Sequence, residues 1–87
     1  MTNEYRNIFL PKTISDDFVI PQEWIIPVYK KQNEEKIAIG LGKGVKEHDG
    51  WLIDIMFLLP YKDYIVVKDF IYDVILKRKH LIGLVVG

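Results

Sequence analysis

The alternation of apolar and polar positions is clearest in the middle of the chain. From Lys36 onward, Ile37, Ile39 and Leu41 fall on one side of a period-two pattern and Ala38, Gly40 and Gly42 on the other. That spacing predicts a strand with one bulky face and one nearly bare face. Residues 46–50 form a polar break ending in Asp49-Gly50, a pair that favours positive φ and a hairpin return. Beyond it Trp51, Ile53, Ile55, Phe57 and Leu59 share one strand face, and Leu52, Asp54, Met56 and Leu58 share the other. Both faces are mostly apolar, so this segment is expected as the central strand of a sheet.

Upstream the pattern is weaker. Residues 5–10 predict a short edge strand stopped by Pro11. In Ile20-Pro21-Gln22-Glu23-Trp24 a proline at a first helical position and an acid in the first turn predict one helical turn that seats Trp24 against the core. Residues 25–31 read as extended, and Pro27, which has no N–H to give a ladder, assigns them to a sheet edge. Residues 32–35 supply the following turn.

Residues 64–82 carry two competing periods. As a strand, Tyr64, Val66, Phe70, Tyr72, Val74 and Leu76 align on one face, with Lys68 as the exception. As a helix, Val67, Phe70, Ile71, Val74 and Ile75 form one stripe, and Asp69, Asp73, Lys77 and His80 gather on another side. Asp69 then sits near the N-terminus, Lys77, Arg78, Lys79 and His80 near the C-terminus, and Gly83 just beyond it, as dipole and capping rules require. Asp73 and Lys77 make a correctly oriented i,i+4 pair. The agreement of end signals with period favours a helix over residues 68–81 followed by a short strand over 84–86. The expected fold is therefore α+β: a small antiparallel β-meander with one C-terminal helix packed on it. The alternative is a small all-β barrel in which residues 64–76 form a long strand.

Composition narrows the function more than it narrows the fold. The chain has 87 residues, enough for a single domain over 1–87. At 49% apolar and 13% aromatic content it has more bulky side chains than so small an interior can hide, which predicts an exposed apolar patch. Twelve Lys and Arg balance twelve Asp and Glu, so no broad positive field is available to hold a phosphate backbone. A nucleic-acid partner is disfavoured on that ground. The absence of cysteine excludes disulfides, thiolate metal sites and thiol nucleophiles. The first residues are acid and amide where a secretory signal needs a basic start and an apolar run, and the apolar stretch 51–59 is too short to span a bilayer and contains Asp54. A cytoplasmic protein with no membrane association is expected.

The motifs are weak. Gly40-Leu41-Gly42-Lys43-Gly44 has the glycines and lysine of a phosphate loop, but no Ser or Thr follows the lysine and no helical pattern begins there. His48 and Asp49 are neighbours in a polar loop with no nucleophile nearby, and the two histidines are too far apart to announce a metal site. Asp54 interrupts an apolar strand and needs either a cationic partner or an exposed face. The run Lys77-Arg78-Lys79-His80 suits a last helical turn as well as it suits phosphates.

The expected function is a small non-enzymatic interaction module: an adaptor, subunit or inhibitor of a larger protein partner, of the kind a virus or mobile element encodes. Its tentative contacts are Trp24, Tyr29, Trp51, Lys77, Arg78 and Lys79, with no cofactor or metal and with self-association as a further option. The second reading is a single-strand nucleic-acid binder that uses its aromatics with Lys43, Lys46, Lys77, Arg78 and Lys79. The third is a small enzyme or ligand-binding domain with a pocket around Asp54 or His48.

Overall fold

A computed structural model describes residues 5–11, 18–58 and 66–87. Its strands are β1 (Tyr5–Pro11), β2 (Glu23–Gln32), β3 (Glu35–Glu47), β4 (Gly50–Phe57), β5 (Val67–Ile75) and β6 (Arg78–Val86). They form one sheet in the order β1-β4-β3-β2-β6-β5, which is not closed into a barrel. Neighbours are antiparallel except β2 and β6, which run parallel where Val28, Tyr29 and Lys30 face Leu84, Val85 and Val86.

Among the described residues the fold is all-β, and the expected C-terminal helix is replaced by a hairpin. Residues 67–75 and 78–86 pair as β5 and β6 about a two-residue turn at Leu76 and Lys77, with φ of 52° and 66°. Two left-handed residues in succession are the geometry of a type I′ hairpin turn. The residues of the apparent helical stripe, Val67, Ile71, Val74 and Ile75, are β-branched, and χ1 crowding that penalises them in a helix is absent on a pleated sheet. The barrel alternative had the strand but not the architecture, because β1 and β5 stay at opposite edges. Leu59 and Tyr64 lie outside the described residues.

Three smaller expectations change as well. Residues 20–22 are not helical and lead directly into β2, although Trp24 does reach the core. Pro27 lies inside the sheet rather than on an edge strand, yet β2 meets β6 only from Val28 onward, so a missing N–H at position 27 breaks no rung of that pairing. The β3–β4 return is made by His48 and Asp49, and Gly50 does not have positive φ. Gly50 is needed for another reason: a Cβ there would overlap the carbonyl oxygen of Leu10 on β1.

The inner face of the sheet is the core. Register places Ile8 and Leu10 of β1 beside Ile53 and Trp51 of β4, and Trp24, Ile26 and Val28 of β2 beside Gly44, Gly42 and Gly40 of β3. Ile53, Ile55, Phe57, Val28 and Leu84 are completely buried. The bare positions Gly40, Gly42 and Gly44 of β3 point inward. Around Gly42, the side chains of Val28, Leu84 and Ile53 converge from three other strands to fill the space a β3 side chain would have taken. Pairing skips Ile39, a bulge that lets this residue join the core although Leu41, two positions on, faces outward. β4 lies one strand in from the β1 edge rather than at the centre, with its inner face buried and its outer face half-exposed.

The short stretch before β2 closes one end of the core. Val19 forms a parallel bridge with His80, its N–H donating to the Lys79 carbonyl at 2.6 Å while its own carbonyl accepts from the Leu81 N–H at 3.3 Å. This holds the Phe18 ring 5.2 Å from Phe70 and 5.6 Å from Tyr72.

Candidate interaction surfaces

The outer face of the sheet carries an exposed apolar patch crossed by one polar row. One row runs Phe9, Leu52, Val45 across β1, β4 and β3; the next runs Asn7, Asp54, Lys43, Ile25 across β1, β4, β3 and β2; a third holds Met56, Leu41 and Pro27. Phe9, Ile25, Leu41, Val45 and Leu52 are all exposed, Ile25 to 68%. With strands about 4.8 Å apart and same-face residues about 6.8 Å apart along each strand, the patch spans roughly 15 Å in both directions. A patch of this size, roughly 200 Å², is within what monomeric surfaces leave in water.

Lys43 and Asp54 face each other across β3 and β4 in the middle of this patch. Asp54 is half-buried, and its Oδ1 is sealed from water with no hydrogen-bond partner. Tyr29 lies on the same outer face beside Ala38 and Val85, its ring lying over Gly83.

The six contacts anticipated from sequence are not brought together. Trp24 and Trp51 are buried in the core, their indole N–H groups without hydrogen-bond partners. Their rings are therefore packing elements, and the Lys46 ammonium lies 6.0 Å from the Trp51 ring centroid. Tyr29 is half-buried near the middle of the sheet, and Lys77, Arg78 and Lys79 are exposed at the β5–β6 turn. Reasoning from residue type favoured aromatics, while the exposed patch is chiefly aliphatic. The signal for it was present in the second apolar face of residues 51–59.

The basic residues of the nucleic-acid reading are likewise dispersed. Lys43 and Lys46, three positions apart on β3, point to opposite faces, and Arg78 and Lys79 lie two strands away on β6, with Lys77 in the turn before it. Gly40, Gly42 and Gly44 are covered by Met56, Val28, Leu84, Ile53 and Trp24, so they are packing glycines and no phosphate can reach them. His48 and Asp49 stand 3.7 Å apart in a turn, with 97% and 82% of their side-chain surface in water. Among the described residues no group of three or more His, Cys, Asp or Glu could hold a metal ion. A recess of about 500 Å³ is lined by Lys31, Lys36, Lys68 and Asp69 over Val85, and a second of about 470 Å³ by Glu23, Trp24, Ile25 and Lys43. Neither contains His48 or Asp54. Among the described residues no helix is long and apolar enough to cross a membrane.

The tip of the β5–β6 hairpin is the second exposed apolar element. Val74, Ile75 and Leu76 are all exposed, Leu76 to 89%. Lys77, Arg78 and Lys79 follow directly, and the Lys79 ammonium lies 4.9 Å from the Tyr72 ring centroid.

No protein-family model, no curated protein and no solved structure matches this chain.

Proposed function

We propose that the protein is a small non-enzymatic interaction module whose outer sheet face docks on a larger protein partner. The observation that carries this reading is the placement of Phe9, Leu52 and Val45 in one exposed row, with Ile25 and Leu41 in the next two, on one face of the sheet. These side chains contribute nothing to the inner core, and leaving them in water lowers solubility without adding stability. The surface they form is apolar with one polar row through it. The complementary surface is therefore apolar too, with a donor or cation placed to meet the Asp54 carboxylate and an acceptor to meet Lys43. The partner contacts proposed here are Ile25, Leu41, Leu52 and Phe9, with Tyr29 at the margin.

The test is affinity capture from source or host lysate, with nuclease present, using wild-type protein beside the Ile25→Glu and Leu41→Glu variants. The expected result is one stoichiometric protein that survives nuclease and is lost with both variants. Capture that depends on intact nucleic acid, or a partner retained equally by both variants, overturns the reading.

A further inference from the structure

We propose that the tip of the β5–β6 hairpin is an interfacial wedge that seats the domain on an anionic lipid surface. Three features meet there. The tip presents Val74, Ile75 and Leu76 to solvent as a consecutive apolar run, with Leu76, in the turn itself, the most exposed. Lys77, Arg78 and Lys79 follow at once, so the run is collared by three cations, with Tyr72 on the flank under the Lys79 ammonium. Apolar side chains that enter the headgroup boundary beside basic residues, with an aromatic at the same level, are the composition of interfacial membrane elements.

The third feature is the residue chosen for the turn. Leu76 and Lys77 both occupy the left-handed region, where a type I′ turn is best served by Asn-Gly. A bulky residue is strained there, and a leucine pointing into water gains no burial in return. Asn33 and Glu34 also lie in the left-handed region, at the β2–β3 turn, but with polar side chains, whereas at Leu76 the strained residue is aliphatic and exposed. An observed backbone outlier of this kind is a legitimate pointer to function.

Charge complementarity selects the lipid class. Between residues 73 and 80 the hairpin end carries Lys77, Arg78 and Lys79 against Asp73 alone, and one Asp73 oxygen is already engaged by the Val74 N–H at 2.9 Å. The acidic Glu47 and Asp49 lie at the same end of the sheet, with β2 between β3 and β6, which carries Arg78 and Lys79, and Glu23 opens β2 itself. Two strand spacings place Glu47 about 10 Å laterally from Arg78 and Lys79, beyond a Debye length of about 8 Å at physiological salt, and the three cations still exceed Asp73 and Glu23. Sheet twist also turns the two hairpins apart by roughly 60°. The outer face and the tip are different surfaces, so a lipid-seated domain keeps its docking face free.

The experiment is flotation of the full-length protein with vesicles of 70% phosphatidylcholine and 30% phosphatidylserine, beside vesicles of phosphatidylcholine alone. Binding is expected to the anionic vesicles, at least tenfold weaker to the neutral ones, and to fall by about fivefold for each of Lys77→Gln, Arg78→Gln and Lys79→Gln. Leu76→Asn suits the left-handed turn and keeps the hairpin folded, and it should lower binding by about tenfold. Ile25→Glu should leave vesicle binding unchanged, which separates this proposal from the docking face. Absence of flotation with anionic vesicles overturns the proposal, as does binding indifferent to Leu76→Asn. So does a protein partner lost with Leu76→Asn in the absence of vesicle binding, which would assign the tip to that partner.

Discussion

Gly44 lies beneath the indole of Trp24, its cross-strand partner on β2, and a Cβ at position 44 would overlap the six-membered ring. The ring is held by the surrounding core, so it has little room to withdraw. Gly44→Ala should cost about 2 kcal/mol, the usual scale for overpacking, and lower Tm by about 10 °C in a domain of this size. Calorimetry on Gly44→Ala, Trp24→Leu and the double variant checks the cause. The double variant should be less destabilised than the sum of the singles, because the smaller side chain vacates the space that the alanine needs.

Gly50 has a different constraint, since the obstacle to a side chain there is backbone, the Leu10 carbonyl on β1. Gly50→Ala is expected to loosen the edge strand rather than the whole sheet. Amide exchange at Ile8 and Leu10 should accelerate by at least tenfold, with protection at Ile26 and Val28 little changed. Equal acceleration at all four sites would show that β1 does not open separately.

The two faces of the sheet should respond oppositely to substitution. Ile53→Ala removes part of a completely buried side chain and should cost about 2–5 kcal/mol in urea unfolding. Ile25→Glu, on the outer face, should change stability by less than about 0.5 kcal/mol while abolishing partner capture. A large stability loss from Ile25→Glu would mean that the outer face is part of the fold and not a docking surface.

Relieving the strained turn should separate stability from function. Replacing Leu76-Lys77 by Asn-Gly suits the left-handed geometry of both positions and is expected to add about 1 kcal/mol of stability. The same change removes the most exposed apolar side chain and one of the three cations from the tip. Thermal melts and vesicle flotation on one preparation give both readings. A destabilised variant would show that the native pair makes contacts which outweigh its strain.

The parts of the fold legible in the sequence are those whose signals are local. The edge strand ending at Pro11, the turn after Gln32 and the alternation through β3 and β4 depend on neighbouring residues, and each emerged near its observed place. The C-terminal hairpin did not, because Leu76-Lys77 lacks the Asn or Gly that marks a type I′ turn. Without that punctuation Asp69, Asp73 and Lys77 mimic a helix with charged ends, although they are exposed positions on a strand and a turn. Pro27 misled for a related reason: the pairing of Val28 with Leu84 joins distant parts of the chain, and no local pattern reveals where that ladder begins. Facing was harder still. The stretch Gly40-Leu41-Gly42 gives a period but not the side on which bare positions are useful, and only the bulky neighbours Trp24, Val28 and Leu84 decide that they face inward. The exposed patch was foreseen as an excess of apolar residues, but Trp24 and Trp51 went to the core and, Phe9 apart, the surface residues are aliphatic.

The parallel seam between β2 and β6 is three residue pairs long, and it joins a four-stranded ribbon to a hairpin. Loop-closure entropy for partners so far apart in the chain must be met before these few contacts form, which makes the seam a late event in folding. Until it closes, Val28 and Leu84 lack each other's cover, and each half presents a greasy, half-finished edge to its surroundings. A chain emerging from synthesis cannot complete that seam until residues 84–86 are free, so the β2 side of it must wait on a strand made long after it.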